Sequence, residues 1–172
     1  MIKEYEAIEG RTFFVGDLHG CYDAFSEELE KVNFDFDNDR VFSVGDLVDR
    51  GTQNMECLRL LHRPWFHAVR GNHDDLVVGS IGGSDAHTRC WYSNGGDWVH
   101  DLSLSEYSEL KDYLLPKLKD LPYLIKVGDI AVVHAEVLLG SIDEVSLEDA
   151  HMLTWGRDRI SARNTSMVSG IK

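Results

Sequence analysis

Residues 41–51 read Val41-Phe42-Ser43-Val44-Gly45-Asp46-Leu47-Val48-Asp49-Arg50-Gly51, an apolar, β-prone run stopped by glycine and followed by two aspartates and an arginine. Such a run reads as a strand, and the glycine with its polar neighbours reads as the turn that ends it. The same design occurs upstream, where Thr12 to Val15 leads into Gly16-Asp17-Leu18-His19-Gly20, and downstream, where Phe66 to Val69 leads into Arg70-Gly71-Asn72-His73-Asp74. Between the first two runs, Cys21 to Val32 sets Phe25, Leu29 and Val32 on one helical face. Between the last two, Gln53 to His62 turns Met55, Leu58 and Leu61 inward, with Thr52 as the expected N-cap. Strand, loop and helix in succession predict an α/β protein with a largely parallel sheet and helices on its faces. Ligands of such sheets gather beyond the carboxyl ends of the strands, which is where all three polar clusters fall.

Outward from this region the signals weaken. From Asp75 to Trp98 the pattern is mixed, with loops at Gly82-Gly83 and Asn94-Gly95-Gly96, and no element is assigned. Ser103 and Glu106 form a capping-box pattern that opens a helix through Leu110 and Leu114, which Pro116 is expected to end or kink. Tyr123 to Val127 and Ile130 to His134 read as a hairpin across Gly128-Asp129. Leu147 to Leu153 reads as a short helix, followed by Arg157 and Arg159.

The 172 residues, 43% hydrophobic and 27% charged, fit one domain, residues 1–172, with no linker or repeat. A domain of this size buries roughly 70% of its unfolded surface, so a metal is not needed to hold the fold and any metal serves chemistry. Thirty acidic against 17 basic residues give a net charge of −13, which repels nucleic-acid backbones and excludes bulk binding to them. Three cysteines without a Cys-x-x-Cys pair read as reduced thiols. The N-terminal stretch carries Lys3, Glu4, Glu6 and Glu9 and no apolar run, and no later run approaches a membrane span. The expectation is a soluble cytoplasmic protein with no membrane partner.

The three clusters, in this order, resemble the phosphoprotein phosphatase family of metallophosphoesterases, particularly its compact phage and bacterial members, from about Gly10 to Arg163. The resemblance implies a calcineurin-like β-sandwich flanked by helices and a centre of two divalent ions, manganese first, with iron or zinc as alternatives. It implies that Asp17 and His19 hold one ion, that Asp46 bridges both, and that Asn72 and His134 hold the second. His73 is then the acid, oriented by Asp49, and Arg50, Arg70 and Arg157 hold the phosphate. The implied reaction is hydrolysis of phosphoserine or phosphothreonine in a phosphoprotein or phosphopeptide by hydroxide held at the two ions. Two alternatives stand beside it: symmetrical hydrolysis of a dinucleoside tetraphosphate, and a metal-binding but inactive relative.

Elementary chemistry agrees with the residue types. Oxygen and imidazole donors without thiolate suit manganese, iron or zinc. Paired ions roughly 3.5–4 Å apart activate water and clamp an in-line displacement at phosphorus. A histidine held by a carboxylate supplies a proton near neutral pH, and arginine forks match phosphate oxygens. Two departures from the family pattern stand out. Asp74 occupies a position where the family carries glutamate. The family's late Gly-His ligand has no counterpart, because the only histidine after His134 is His151, which precedes Arg157. The second ion is therefore expected to lack one protein ligand, and the family's final strands are expected to be missing, uncovering a sheet edge that invites dimerisation. His62, His67, His87, His100 and His151, with Trp65, Trp91, Trp98 and Trp155, are assigned to packing or surface.

Overall fold

The computed structural model describes residues 2–137 and 142–157. Its strands are β1 (Ile2–Tyr5), β2 (Thr12–Val15), β3 (Arg40–Ser43), β4 (Phe66–Ala68), β5 (Leu124–Val127) and β6 (Ile130–Val133). Its α-helices are α1 (Tyr22–Lys31), α2 (Asn54–Arg59), α3 (Asn72–Ile81), α4 (Asp85–Tyr92), α5 (Leu104–Glu109), α6 (Leu115–Lys119) and α7 (Ala150–Trp155). The strands form two sheets. One is all parallel in the order β2-β3-β4, and the other is mixed in the order β1-β5-β6, with β1 parallel and β6 antiparallel to β5.

Strand alternation builds the sandwich. In β3, buried along its whole length, Val41 turns to the helical side while Phe42 turns to the other sheet. Phe42 meets Ile125, Val127 and Val132 from the second sheet, with the Tyr5 ring edge-on at 5.2 Å. On the outer face of the first sheet lie Phe25 and Leu29 of α1, Leu58 of α2 and Leu76 of α3. Leu124 and Leu153 pack on the outer face of the second. The layers run helix, sheet, sheet, helix, the α/β sandwich anticipated from the sequence.

Several local expectations are corrected. Strand β1 falls in a segment read only as polar, because an edge strand such as Ile2-Lys3-Glu4-Tyr5 needs few apolar residues. Helices α3 and α4 occupy the unassigned stretch. Gly79, where a Cβ would overlap the His87 ring, lets the two helices pack closely despite its poor helix propensity. Gln53 rather than Thr52 precedes α2, and it makes no side-chain cap. Pro116 does not end its helix. The turn before it, Leu110–Leu114, widens to π geometry and α6 resumes with the proline in its first turn, where a missing N–H costs little. Leu147–Asp149 is a 3₁₀ turn leading into α7 rather than one continuous helix.

Candidate metal centre

The parallel order delivers the loops after β2, β3 and β4 side by side, and backbone hydrogen bonds stitch them together. Leu18 N and His19 N donate to Asp46 O at 3.1 and 2.9 Å, Gly20 N donates to Leu47 O at 3.0 Å, and Gly51 N donates to His19 O at 3.0 Å. The third loop joins through Asp74, which is fully buried. Its carboxylate accepts the N–H of Gly71 and Asp46 at 2.9 Å each and that of Leu47 at 3.0 Å. Burial, with the Asp46 charge adding to it, pushes the Asp74 carboxyl up to about 7, against the pull of those three N–H groups.

This stitching holds an unusual backbone. Five non-glycine residues have positive φ among those described, and four are in these loops: His19 at 42°, Asp46 at 49°, Asp49 at 73° and Arg50 at 68°. Each costs on the order of 1–3 kcal/mol and persists because the surroundings fix it. Gly71 is needed for a different reason: a Cβ there would overlap the Asp46 carboxylate and amide nitrogen.

The side chains converge on Asp46. His19 Nε2 lies 3.6 Å and His134 Nε2 3.6 Å from Asp46 Oδ2, while Asp17 stands 3.8 Å from His19 and 3.9 Å from His134. Asn72 Oδ1 is 2.8 Å from His134 Nε2. The ring orientations are set from behind, since His19 Nδ1–H donates to Val48 O at 2.8 Å and His134 Nδ1–H donates to Val44 O at 2.9 Å. Each imidazole therefore turns its Nε2 lone pair toward the shared carboxylate.

Two triads have ligand atoms all within 4.8 Å of one another, Asp17 with Asp46 and His134, and Asp46 with His19 and His73. Carboxylate, imidazole and amide donors so close, with Asp46 common to both triads, fit a pair of divalent cations by number and by chemistry. At His134 and Asn72 the two facing atoms are both acceptors once Nδ1–H is committed, an arrangement that a positive charge between them resolves.

His73, at the first turn of α3, completes the cluster. Its Nδ1–H donates to Asp49 Oδ2 at 2.6 Å, and its ring meets that of His19 edge-on at 4.8 Å. Burial lowers its pKa, but the Asp49 hydrogen bond and the Asp46 charge outweigh this and the Arg50 charge, leaving it above the ordinary imidazole value. Arg50 reaches in from the loop after β3, its two terminal nitrogens donating to His19 Nε2 at 2.7 Å and His73 Nε2 at 3.1 Å.

Of the residues singled out from the sequence, Asp17, His19, Asp46, Asp49, Arg50, Asn72, His73 and His134 come together here. Arg70 is turned elsewhere. Its guanidinium donates to Lys119 O, to Tyr123 Oη at 3.1 Å and to Asp75 at 3.3 Å. Arg157 is exposed and donates to the neighbouring carbonyl of Gly156 at 2.8 Å. Arg159 lies outside the described residues. Three participants escaped the sequence reading. Asn54 Oδ1 accepts the Asp49 N–H at 2.7 Å, and Trp91 and Trp98 both reach the Asp49 carboxylate. The available signal for the tryptophans was the indole N–H, which seeks an acceptor when buried.

No described helix is long and apolar enough to cross a membrane. The family model for calcineurin-like phosphoesterases matches residues 10–163. Serine/threonine-protein phosphatase 2 of Salmonella typhimurium is 36% identical over 150 residues, which is 85% of this chain and 67% of that protein. The symmetrical bis(5'-nucleosyl)-tetraphosphatase of Actinobacillus succinogenes is 48% identical over 131 residues, covering 73% of this chain and 44% of that protein. The solved structure of a putative diadenosine tetraphosphatase superposes with a TM-score of 0.60 at 22% identity, covering 87% of this chain and 61% of its own, which speaks to the fold. The chain thus spans between 44% and 67% of the length of these three proteins. A family match over most of the sequence, on the fold and loop cluster described above, places this chain in the calcineurin-like phosphoesterase family.

Proposed function

We propose that the chain is a manganese-dependent phosphoprotein phosphatase that hydrolyses phosphoserine and phosphothreonine monoesters in peptide segments. The observation that carries this reading is the Asp46 carboxylate shared by two ligand triads beside the His73–Asp49 pair. Divalent ions, when held by Asp17, His19, Asp46, Asn72 and His134, supply an acidified water and polarise the phosphoryl oxygens. The protein's own residues do the rest. Asp49 fixes the Nδ1–H of His73, so Nε2 is the nitrogen that hands a proton to the departing alkoxide. Arg50 presents a planar fork with two N–H groups at the same spot, the geometry that suits two phosphate oxygens. Similarity to a serine/threonine-protein phosphatase over 85% of the chain supports the choice of substrate.

A second reading, symmetrical hydrolysis of a dinucleoside tetraphosphate, draws on the 48% identity to a protein of that name. The two separate in one assay, with manganese, of a phosphoserine peptide against diadenosine tetraphosphate. Inorganic phosphate from the peptide, with the dinucleotide left intact, is the expected result; nucleoside diphosphate from the dinucleotide alone would reverse the assignment. Asp46→Asn checks the centre itself. Second-shell partners of a metal ligand are worth about 10–100-fold in affinity, so removing the shared charge should lower manganese affinity, read by calorimetry, and turnover by at least that much.

A further inference from the structure

The segment Trp91-Tyr92-Ser93-Asn94-Gly95-Gly96-Asp97-Trp98 doubles back over the catalytic pair. Trp91 Nε1–H donates to Asp49 Oδ1 at 2.9 Å, and Trp98 Nε1–H donates to the same oxygen at 2.7 Å. The other oxygen, Oδ2, takes the Nδ1–H of His73. Two glycines make the reversal. Gly95, at φ +98°, lies against the backbone of Arg50 and the Cβ of Asp49, and Gly96 sits so close to the Trp91 indole that no Cβ fits. The two indoles then meet edge-to-face, with centroids 5.9 Å apart at 86°, above a carboxylate that is fully buried.

The chemistry of the two donors is specific. An indole N–H donates and cannot accept, so each one occupies a carboxylate oxygen as a directional donor. It is also neutral. An arginine or lysine in the same place would cancel the charge of Asp49, whereas two indoles hold that charge in a buried site and leave it facing the imidazole. With Oδ1 pinned twice and the Asp49 N–H tied to Asn54, the carboxylate has one orientation, and Oδ2 is the oxygen left for His73.

We infer that Trp91 and Trp98 are positioning residues that hold the Asp49 carboxylate in one orientation, aimed at His73. This rests on the reading of His73 as the proton donor, and the experiment therefore combines kinetics with a readout independent of turnover. Trp98→Phe, at a half-buried site, keeps a ring of similar shape without the donor, and Trp91→Phe does so in the core. Trp98→His restores a ring N–H. With the manganese-loaded enzyme, Trp98→Phe should lower kcat on phenyl phosphate roughly 10-fold, the scale of one hydrogen bond to a charged group. The loss on p-nitrophenyl phosphate should be several-fold smaller, because that leaving group needs little help from a proton, and KM should change little. Trp98→His should recover part of the loss. Independently of catalysis, the far-downfield proton resonance of the His73 Nδ1–H, assigned by its disappearance in His73→Asn, should shift and broaden in each Trp→Phe variant that remains folded.

Equal losses on both substrates, or a resonance that is the same in wild type and Trp98→Phe, would overturn the inference and leave the indoles as packing. A wild-type chain that hydrolyses no monoester but whose resonance responds to both substitutions would overturn the phosphatase reading and support the clamp. Should Trp91→Phe not fold, the half-buried Trp98 decides alone.

Discussion

Gly71 and Asp46 divide between them a space too small for one more carbon. Gly71→Ala must move either the loop after β4 or the carboxylate that both ligand triads share. The expected cost is about 1–3 kcal/mol of stability, with a fall in manganese affinity measured on the same sample by calorimetry. Asp74 is the converse case, a side chain defined by what it accepts. Asp74→Asn puts an amide NH₂ among three backbone N–H donors, so at least one donor loses its partner in a fully buried place. A loss of about 1–3 kcal/mol is expected in urea unfolding, together with loosening of the positive-φ turns at His19 and Asp46 that these bonds restrain. Methionine or alanine at an exposed position such as Leu104 provides the reference, since nothing packs there to be lost.

Among the elements, α5 shows its origin in the sequence most directly. Ser103 Oγ accepts the Glu106 N–H at 3.3 Å, and Glu106 Oε2 accepts the Ser103 N–H at 2.9 Å, a reciprocal cap on a helix with no buried side chain of its own. Ser103→Ala should therefore cost about 1 kcal/mol, seen as a drop of about 2–4 °C in Tm. The same helix is tied to α2 by the Arg59 fork on Glu109, at 2.8 and 2.7 Å. That pair is half exposed, and Arg59→Ala is expected to cost no more than about 1 kcal/mol, less at high salt. The π turn ahead of Pro116 is the price of continuing one helix across a proline. It keeps Leu110, Leu114, Leu115 and Leu118 on the core side.

The whole molecule has a predictable response to acid. His67 packs against the rings of Tyr5 and Phe42, at 4.4 and 5.0 Å, where burial, with Lys3 and Arg40 nearby, lowers its pKa to about 4. The folded protein keeps it neutral while the unfolded chain protonates it at about 6.5. The stability His67 contributes is therefore full above that value and is lost as pH falls from about 6.5 toward about 4. Asp39 adds a second, lower step. The Arg11 guanidinium beside it holds its carboxyl down to about 2, so the stability it contributes is present above its ordinary value and is lost as pH falls through that range. The Asp74 carboxyl, raised to about 7, favours the folded state as pH falls through the same upper window. The His67 step is therefore read as the difference in urea midpoint between wild type and His67→Phe, which should grow with pH from about 4 to about 6.5, while the lower step remains in both. A difference between wild type and His67→Phe that stays constant between about pH 4 and 6.5 would contradict the burial argument.

Much of this was legible in the chain because strand–glycine–polar-turn is a local code. The period of apolar residues identifies β2, β3 and β4, and the turn residues after them carry the carboxylates, amide and imidazoles in order. The α/β sandwich follows from the same rhythm. What the chain did not disclose is whatever depends on partners distant in sequence. Strand β1 is a strand because β5 lies beside it, and α3 packs on α4 because Gly79, a poor helix former, leaves room for the His87 ring. Arg70 reads as part of a polar cluster, yet Lys119 O, Tyr123 and Asp75 draw its guanidinium aside. The two tryptophans look like core, and their N–H groups find Asp49 only once the Gly95-Gly96 turn folds the segment back. Local sequence sets the residues and the direction of each loop, whereas burial sets which polar atom each must satisfy, and that choice exists only after the layers have closed.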